Sequence, residues 1–281
     1  MHYRRRVRTE THMRTGQRRR EILRHLFLTG YVEVKEFALT LGVDSSTIRR
    51  DFDALARGGH LQRTHGGARV LPGAVDVPYV VKEHRRMAAK DAIAEMACEL
   101  VRDGDSVLLD SGSTTHQLAV ALRVRRDLTI ITNDLLIGQL VADYPQVRLL
   151  ITGGELLSST YTICGDRAVA FIEDLRVDWT FLGADAIDLE AGITNTNTLE
   201  IPLKRAMAAA ARSTVVLADS TKFGWHALVR VAELHEIDLI ITDDEMSAAD
   251  ASKYGDVLRQ APVTVNLSQL ATLATVANER L

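Results

Sequence analysis

Asp44-Ser45-Ser46-Thr47-Ile48-Arg49-Arg50-Asp51-Phe52-Asp53-Ala54-Leu55-Ala56-Arg57 decides the fold of the N-terminal part. Ile48, Phe52 and Leu55 recur at helical spacing and share one side of a helical wheel. Ser46, Arg50, Asp53 and Arg57 fall opposite, with Thr47 and Arg49 on the flanks. Asp44 precedes the run as an N-cap whose side chain accepts orphan N–H groups. Such a helix packs one face and offers the other. Ser45, Ser46 and Thr47 put short hydroxyls in its first turn. Arg50 is long enough to fork onto a guanine edge, a pairing worth about 1–3 kcal/mol of discrimination. Arg49 and Arg63 suit phosphates, which position a reader without specifying sequence. The plainer alternative is that Arg49 and Arg50 are solvated charges paired with Asp51 or Asp53.

The flanking sequence completes a unit. Ile22, Leu23, Leu26 and Phe27 form one helical stripe, stopped by Thr29-Gly30. Val34, Phe37, Ala38 and Leu41 form a second, stopped by Gly42. Downstream, Leu61–Arg63 and Ala68–Val70 flank Thr64-His65-Gly66-Gly67, the pattern of a hairpin with His65 at its tip. Three short helices and a hairpin over residues 17–70 describe a winged helix-turn-helix. Residues 1–16 make a basic flexible arm, and residues 71–82, with Pro72, Gly73 and Pro78, a linker. Residues 1–69 carry a net charge of +8 and the remainder −11. One part of the chain is therefore suited to a polyanion, here double-stranded operator DNA. His60 and His65 lack a Cys or carboxylate at ligand spacing, so no metal site is read there.

Residues 83–281 follow another pattern. An amphipathic helix over 83–102 is followed by short apolar runs alternating with helices: Ser106–Leu109, Leu128–Ile131, Val147–Ile151, Trp179–Leu182, Thr214–Leu217, Ile237–Ile241 and Val263–Val265. Runs of this kind are strands buried on both faces, and the alternation predicts an α/β parallel sheet. Ligands of such sheets bind beyond the carboxyl ends of the strands. The first strand ends in Asp110, Ser111, Gly112, Ser113, Thr114 and Thr115 and feeds a helix N-terminus, an arrangement suited to a phosphate monoester. Asn133, Gly153, Asp185 and Lys222 close later strands at the same end. Neither a GxxxxGK[ST] loop nor a GxGxxG fingerprint occurs, so no nucleotide cofactor is read.

Thr47-Ile48-Arg49-Arg50-Asp51, followed by His65-Gly66-Gly67-Ala68, resembles the TIRRDL…HGGA signature of DeoR-type repressors, with Phe52 in place of the leucine. The resemblance continues in order through Leu109–Thr114, Thr132-Asn133, Gly153-Gly154, Phe181–Asp185, Lys204-Arg205-Ala206-Met207 and Asp219–Gly224. It implies a bacterial repressor of a carbohydrate operon. Its effector domain would be similar in fold to ribose-5-phosphate isomerase, and a phosphorylated sugar would release it from DNA. By that likeness Ser111–Thr115 hold phosphate, Asp110, Asp185, Glu200 and Lys204 line the sugar end, and Lys222 closes the site.

Three other functions compete or are excluded. An active isomerase would use Asp185, Glu200 and Lys204, but its glycine-rich stretch is here Gly192-Ile193-Thr194-Asn195-Thr196-Asn197-Thr198. A DNA-architectural protein would leave the large α/β part without a purpose. Membrane spanning is not read, because no apolar run reaches about 18 residues. Two separated cysteines, Cys98 and Cys164, and no secretory signal fit the cytoplasm. A single winged unit contacts little DNA, so a homo-dimer or tetramer is expected.

Overall fold

The computed structural model describes residues 13–57, 61–69 and 79–263. Most of the basic arm, His60, residues 71–78 of the linker and the side chain of Phe27 lie outside the described residues. The chain divides into two compact units between Val81 and Lys82.

The first unit runs α1 (Thr15–Thr29), β1 (Tyr31–Glu33), α2 (Val34–Leu41), α3 (Ser45–Arg57), β2 (Gln62–Arg63) and β3 (Gly67–Arg69). Ile22 and Leu26 of α1, Phe37 of α2 and Ile48, Phe52 and Leu55 of α3 share one core. Gly42 ends α2 in the left-handed region, at φ 63°, where glycine has no side-chain penalty. The expected two-stranded hairpin is the edge of a three-stranded sheet in the order β1-β3-β2. The β1 strand is only three residues long, too short to show a period in the sequence. At Gly67 a Cβ would stand 2.1 Å from the Val32 carbonyl oxygen, so β3 approaches β1 only because residue 67 is glycine. Thr15 and Gly16, expected in the arm, begin α1. Residues Tyr79–Lys82, expected as the end of the linker, form the helical turn α4. Val80 and Val81 of that turn are buried in the first unit's core.

The second unit begins with α5 (Met87–Leu100), β4 (Ser106–Leu109), α6 (Ser113–Ala121), β5 (Leu128–Thr132), α7 (Leu135–Val141) and β6 (Val147–Ile151). A hairpin of β7 (Glu155–Leu157) and β8 (Thr162–Cys164) leads to α8 (Asp166–Glu173) and β9 (Val177–Gly183). The chain continues through β10 (Ala186–Asp188), β11 (Gly192–Asn195), α9 (Ile201–Ala210), β12 (Ala211–Leu217) and β13 (Val229–Ala232). It closes with β14 (Leu239–Asp243), α10 (Ala248–Ala251) and β15 (Leu258–Ala261). The seven-stranded sheet has the order β15-β14-β12-β9-β4-β5-β6, and every neighbouring pair in it is parallel. Strand side chains alternate between two cores. Val107 and Leu109 pack with Ile93, Leu118 and Ile137 on one face. Leu108 packs with Ile172, Leu203 and Met207 on the other. That double burial explains the near-continuous apolar runs in the sequence.

The strand expected at Val263–Val265 lies, but for Val263, outside the described residues, among which the last strand is β15. Pairing of Leu258–Ala261 with Ile240–Asp243 sets its position. The strand order reverses between β4 and β9, and a sheet of this kind opens a crevice at such a reversal. The stretch 192–195, flagged as the isomerase's missing glycine run, is strand β11 in a side sheet ordered β10-β11-β13.

Candidate functional site

On α3, Ile48, Asp51, Phe52 and Leu55 are buried. Ser46, Arg49, Arg50, Asp53 and Arg57 are exposed, while Ser45 and Thr47 are half-buried. The Ser46 N–H donates to Asp44 Oδ1 at 2.6 Å, which fixes the first turn. Hydrogen bonds from Ser46 hold the Asp44 carboxyl below its ordinary value. His65 is exposed at the tip of the wing.

Arg63, expected at a phosphate, is half-buried here, pairs with the exposed Asp53 at 3.0 Å and lies 5.4 Å from the centre of the Phe52 ring. It also donates to the Gly67 carbonyl at 3.2 Å, so it ties the wing to α3. Asp51 pairs with neither Arg49 nor Arg50. It is buried and receives Arg18 at 2.5 Å and Arg19 at 2.9 Å from α1. A buried carboxylate requires such partners. Arg18 is therefore an internal strut of the reader.

In the second unit the reversal between β4 and β9 carries the charged residues. Asp110, just past β4, is 1% exposed. It accepts the Gly183 N–H at 2.9 Å and the Lys204 ammonium. Lys204, buried on α9, also donates to the Gly183 carbonyl at 3.1 Å. Burial opposes the Lys204 charge, yet Asp110, Glu200 and Asp185 raise its pKa above the ordinary lysine value. Asp185 accepts the Thr196 N–H at 3.0 Å and pairs with Lys82 at 3.3 Å. Burial alone would push the Asp185 carboxyl up; Lys82, the Thr196 N–H, Lys204 and Lys222 hold it down at about 2. Glu200 is buried and accepts the Asn197 amide at 3.2 Å. Asp110, Asp185, Glu200, Lys204 and Lys222 are thus gathered at one end of the sheet.

In the Ser111–Thr115 loop part of the donor set is engaged within the protein. Its Gly112 N–H and Ser111 hydroxyl, read as phosphate donors, are already bound to Asp134 Oδ2, at 3.2 and 3.1 Å. Thr115 turns inward, its hydroxyl donating to the Gly112 carbonyl at 2.9 Å. What the loop offers a ligand is the remaining first turn of α6, where a helix cannot satisfy its own N–H groups. Around it, Asn133 Oδ1, Thr152 Oγ1 and Thr160 Oγ1 are buried without a hydrogen-bond partner among the described residues. Gly153 is exposed at the end of β6, with open space beside it.

Residues 85–244 match the family model described as the DeoR C terminal sensor domain, and residues 18–72 match the DeoR-like helix-turn-helix domain. The chain belongs to the DeoR family. The HTH-type transcriptional regulator GlpR of Haloferax volcanii is 35% identical over 84% of this chain and 92% of its own length. The glycerol-3-phosphate regulon repressor of Escherichia coli K12 is 30% identical, covering 82% and 92%. The ribose 5-phosphate isomerase A of Methanocaldococcus jannaschii is 20% identical with a TM-score of 0.35, covering 48% of this chain and 53% of its own. A likeness of that size transfers no chemistry.

This DeoR-family sensor also brings in residues that the sequence reading passed over. Lys90 is 3% exposed on the apolar side of α5 and donates to the Lys82 carbonyl. Burial pulls its ammonium down to about 8, against Asp219 and with Lys222 and Lys82. Arg86 meets Asp243 at 2.9 Å, Glu245 at 3.1 Å and Asp219 at 3.5 Å. The signal for Lys90 was legible, since an ionisable residue interrupts the stripe of Ala89, Ile93 and Ala97. Asp134 was legible as well, as a cap between a strand end and Leu135-Leu136-Ile137.

Proposed function

We propose that this regulator represses a carbohydrate-utilisation operon and that a phosphorylated sugar, bound at the crevice between β4 and β9, releases it. One observation carries the reading. Three buried oxygens at the strand ends, Asn133 Oδ1, Thr152 Oγ1 and Thr160 Oγ1, have no hydrogen-bond partner among the described residues, and buried polar groups are normally satisfied, by a ligand or water if not by protein. Lys82, Lys90, Lys204 and Lys222 stand there among Asp110, Asp185, Asp219 and Glu200, a polar lining suited to a polar ligand. Ser45, Ser46, Thr47, Arg49, Arg50, Arg57 and His65 meet the operator. Two or more chains bind it together, since one winged unit spans a single half-site.

Asp185 is ill suited to act as the base of a sugar isomerase. A general base for sugar isomerisation works best with a pKa near the operating pH, and Asp185 is held at about 2.

Thermal-shift screening against phosphorylated sugars, followed by gel shift on the DNA upstream of the protein's own gene, tests the proposal. The expected result is one ester that stabilises the protein and frees that DNA. Turnover of an ester, or operator binding indifferent to every ester that binds, would overturn it.

A further inference from the structure

Asp134 is fully buried at the N-cap of α7. Its Oδ1 accepts the N–H groups of Leu136 at 2.7 Å and Ile137 at 3.0 Å, an ordinary cap. Serine or asparagine caps a helix as well as aspartate does, so capping needs neither the second oxygen nor the full charge. That second oxygen turns to the sensor loop, where it holds the Gly112 N–H and the Ser111 hydroxyl. Ser111 also lies 2.6 Å from the Thr162 hydroxyl and 3.5 Å from the Thr160 carbonyl of the neighbouring hairpin. Next to these sit Asn133 Oδ1 and Thr160 Oγ1, unpartnered among the described residues. Burial pushes the Asp134 carboxyl up to about 6, even against four hydrogen bonds. At the loop itself an incoming anion therefore meets a buried carboxyl already seated on two of the donors.

Resting on the reading of residues 111–115 as the phosphate loop, we propose that Asp134 sets a threshold of affinity that a bare phosphoryl group does not clear. Its carboxylate competes with the ligand for Gly112 and Ser111, so free inorganic anions are turned away. A phosphoryl ester is admitted because its sugar adds contacts at Asp110, Asp185 and Glu200. Like charges in a partly desolvated site repel strongly enough to change affinity tenfold or more. The competitor this device excludes is inorganic phosphate, which shares the ester's head group and lacks its sugar.

The test compares the full-length protein with Asp134→Asn and Asp134→Ser, both of which keep a cap for α7. Binding of inorganic phosphate, glucose 6-phosphate, fructose 1-phosphate and glycerol 3-phosphate is measured by calorimetry at pH 7.5. In both variants inorganic phosphate, and any ester the parent binds, should bind about tenfold tighter or more. Unchanged affinity in both variants, in a parent that does bind an ester, overturns the role of Asp134 and leaves the phosphate loop standing. If neither parent nor variants bind any of the four, the loop reading falls and this inference with it.

Discussion

At the residue scale, buried charge separates structural from recognition residues. Arg18→Ala leaves the buried Asp51 with Arg19 alone. Stripping a buried charge of all partners costs about 3–5 kcal/mol, so with Arg19 retained a smaller loss of stability should show in urea titration, with the salt dependence of DNA binding little changed. Arg50 is exposed, and Arg50→Ala should cost about 1–3 kcal/mol on the operator and much less on random DNA. Competition gel shifts would show it, and equal losses on both would remove Arg50 from base reading. Asp185 has a depressed carboxyl, at about 2. Its contribution to stability is present above the ordinary value near 4 and lost as pH falls towards 2. That contribution is on the order of 2 kcal/mol. The melting-temperature gap between the parent and Asp185→Asn should therefore be open at pH 6 and narrow at pH 3.

At the element scale, the wing depends on one close approach. Gly67→Ala would drive a Cβ into the Val32 carbonyl and the Tyr31 hydroxyl, at 2.1 and 2.7 Å. The β1–β3 pairing should open, and operator affinity should fall together with the first unit's stability, read by gel shift and circular dichroism. Six of the seven strands of the large sheet were legible because both of their faces are buried. The seventh, Leu258–Ala261, was not, since Arg259 and Gln260 interrupt its apolar run. Register against β14 decides the matter, and a linear sequence does not display register. Strands β7, β8, β10, β11 and β13 are three or four residues each, too short to establish a period. The strand-end residues of the pocket were legible for the same reason as the strands. Lys82 was not, because it meets Asp185 across 103 residues of sequence.

At the scale of the whole molecule, occupancy of the crevice should leave a footprint on several distant stretches at once. Hydrogen exchange with a saturating sugar ester should slow around residues 110–115, 133–134, 160–163 and 183–204 together. Protection confined to one of these stretches would place the ligand elsewhere. Ligand at 100 times its Kd should add about 2.7 kcal/mol to the sensor's stability. The crevice has one more consequence, in the order of events during synthesis. The reader is finished by residue 81, whereas the Asp110–Lys204 ion pair joins residues 94 apart and the pairing of β4 with β9 is equally non-local. At about 5–20 residues per second, and with domains folding N-terminal first, a ribosome completes the DNA-binding unit several seconds before the residues of the off-switch emerge. For that interval each nascent chain carries a folded reader without the domain that would govern it.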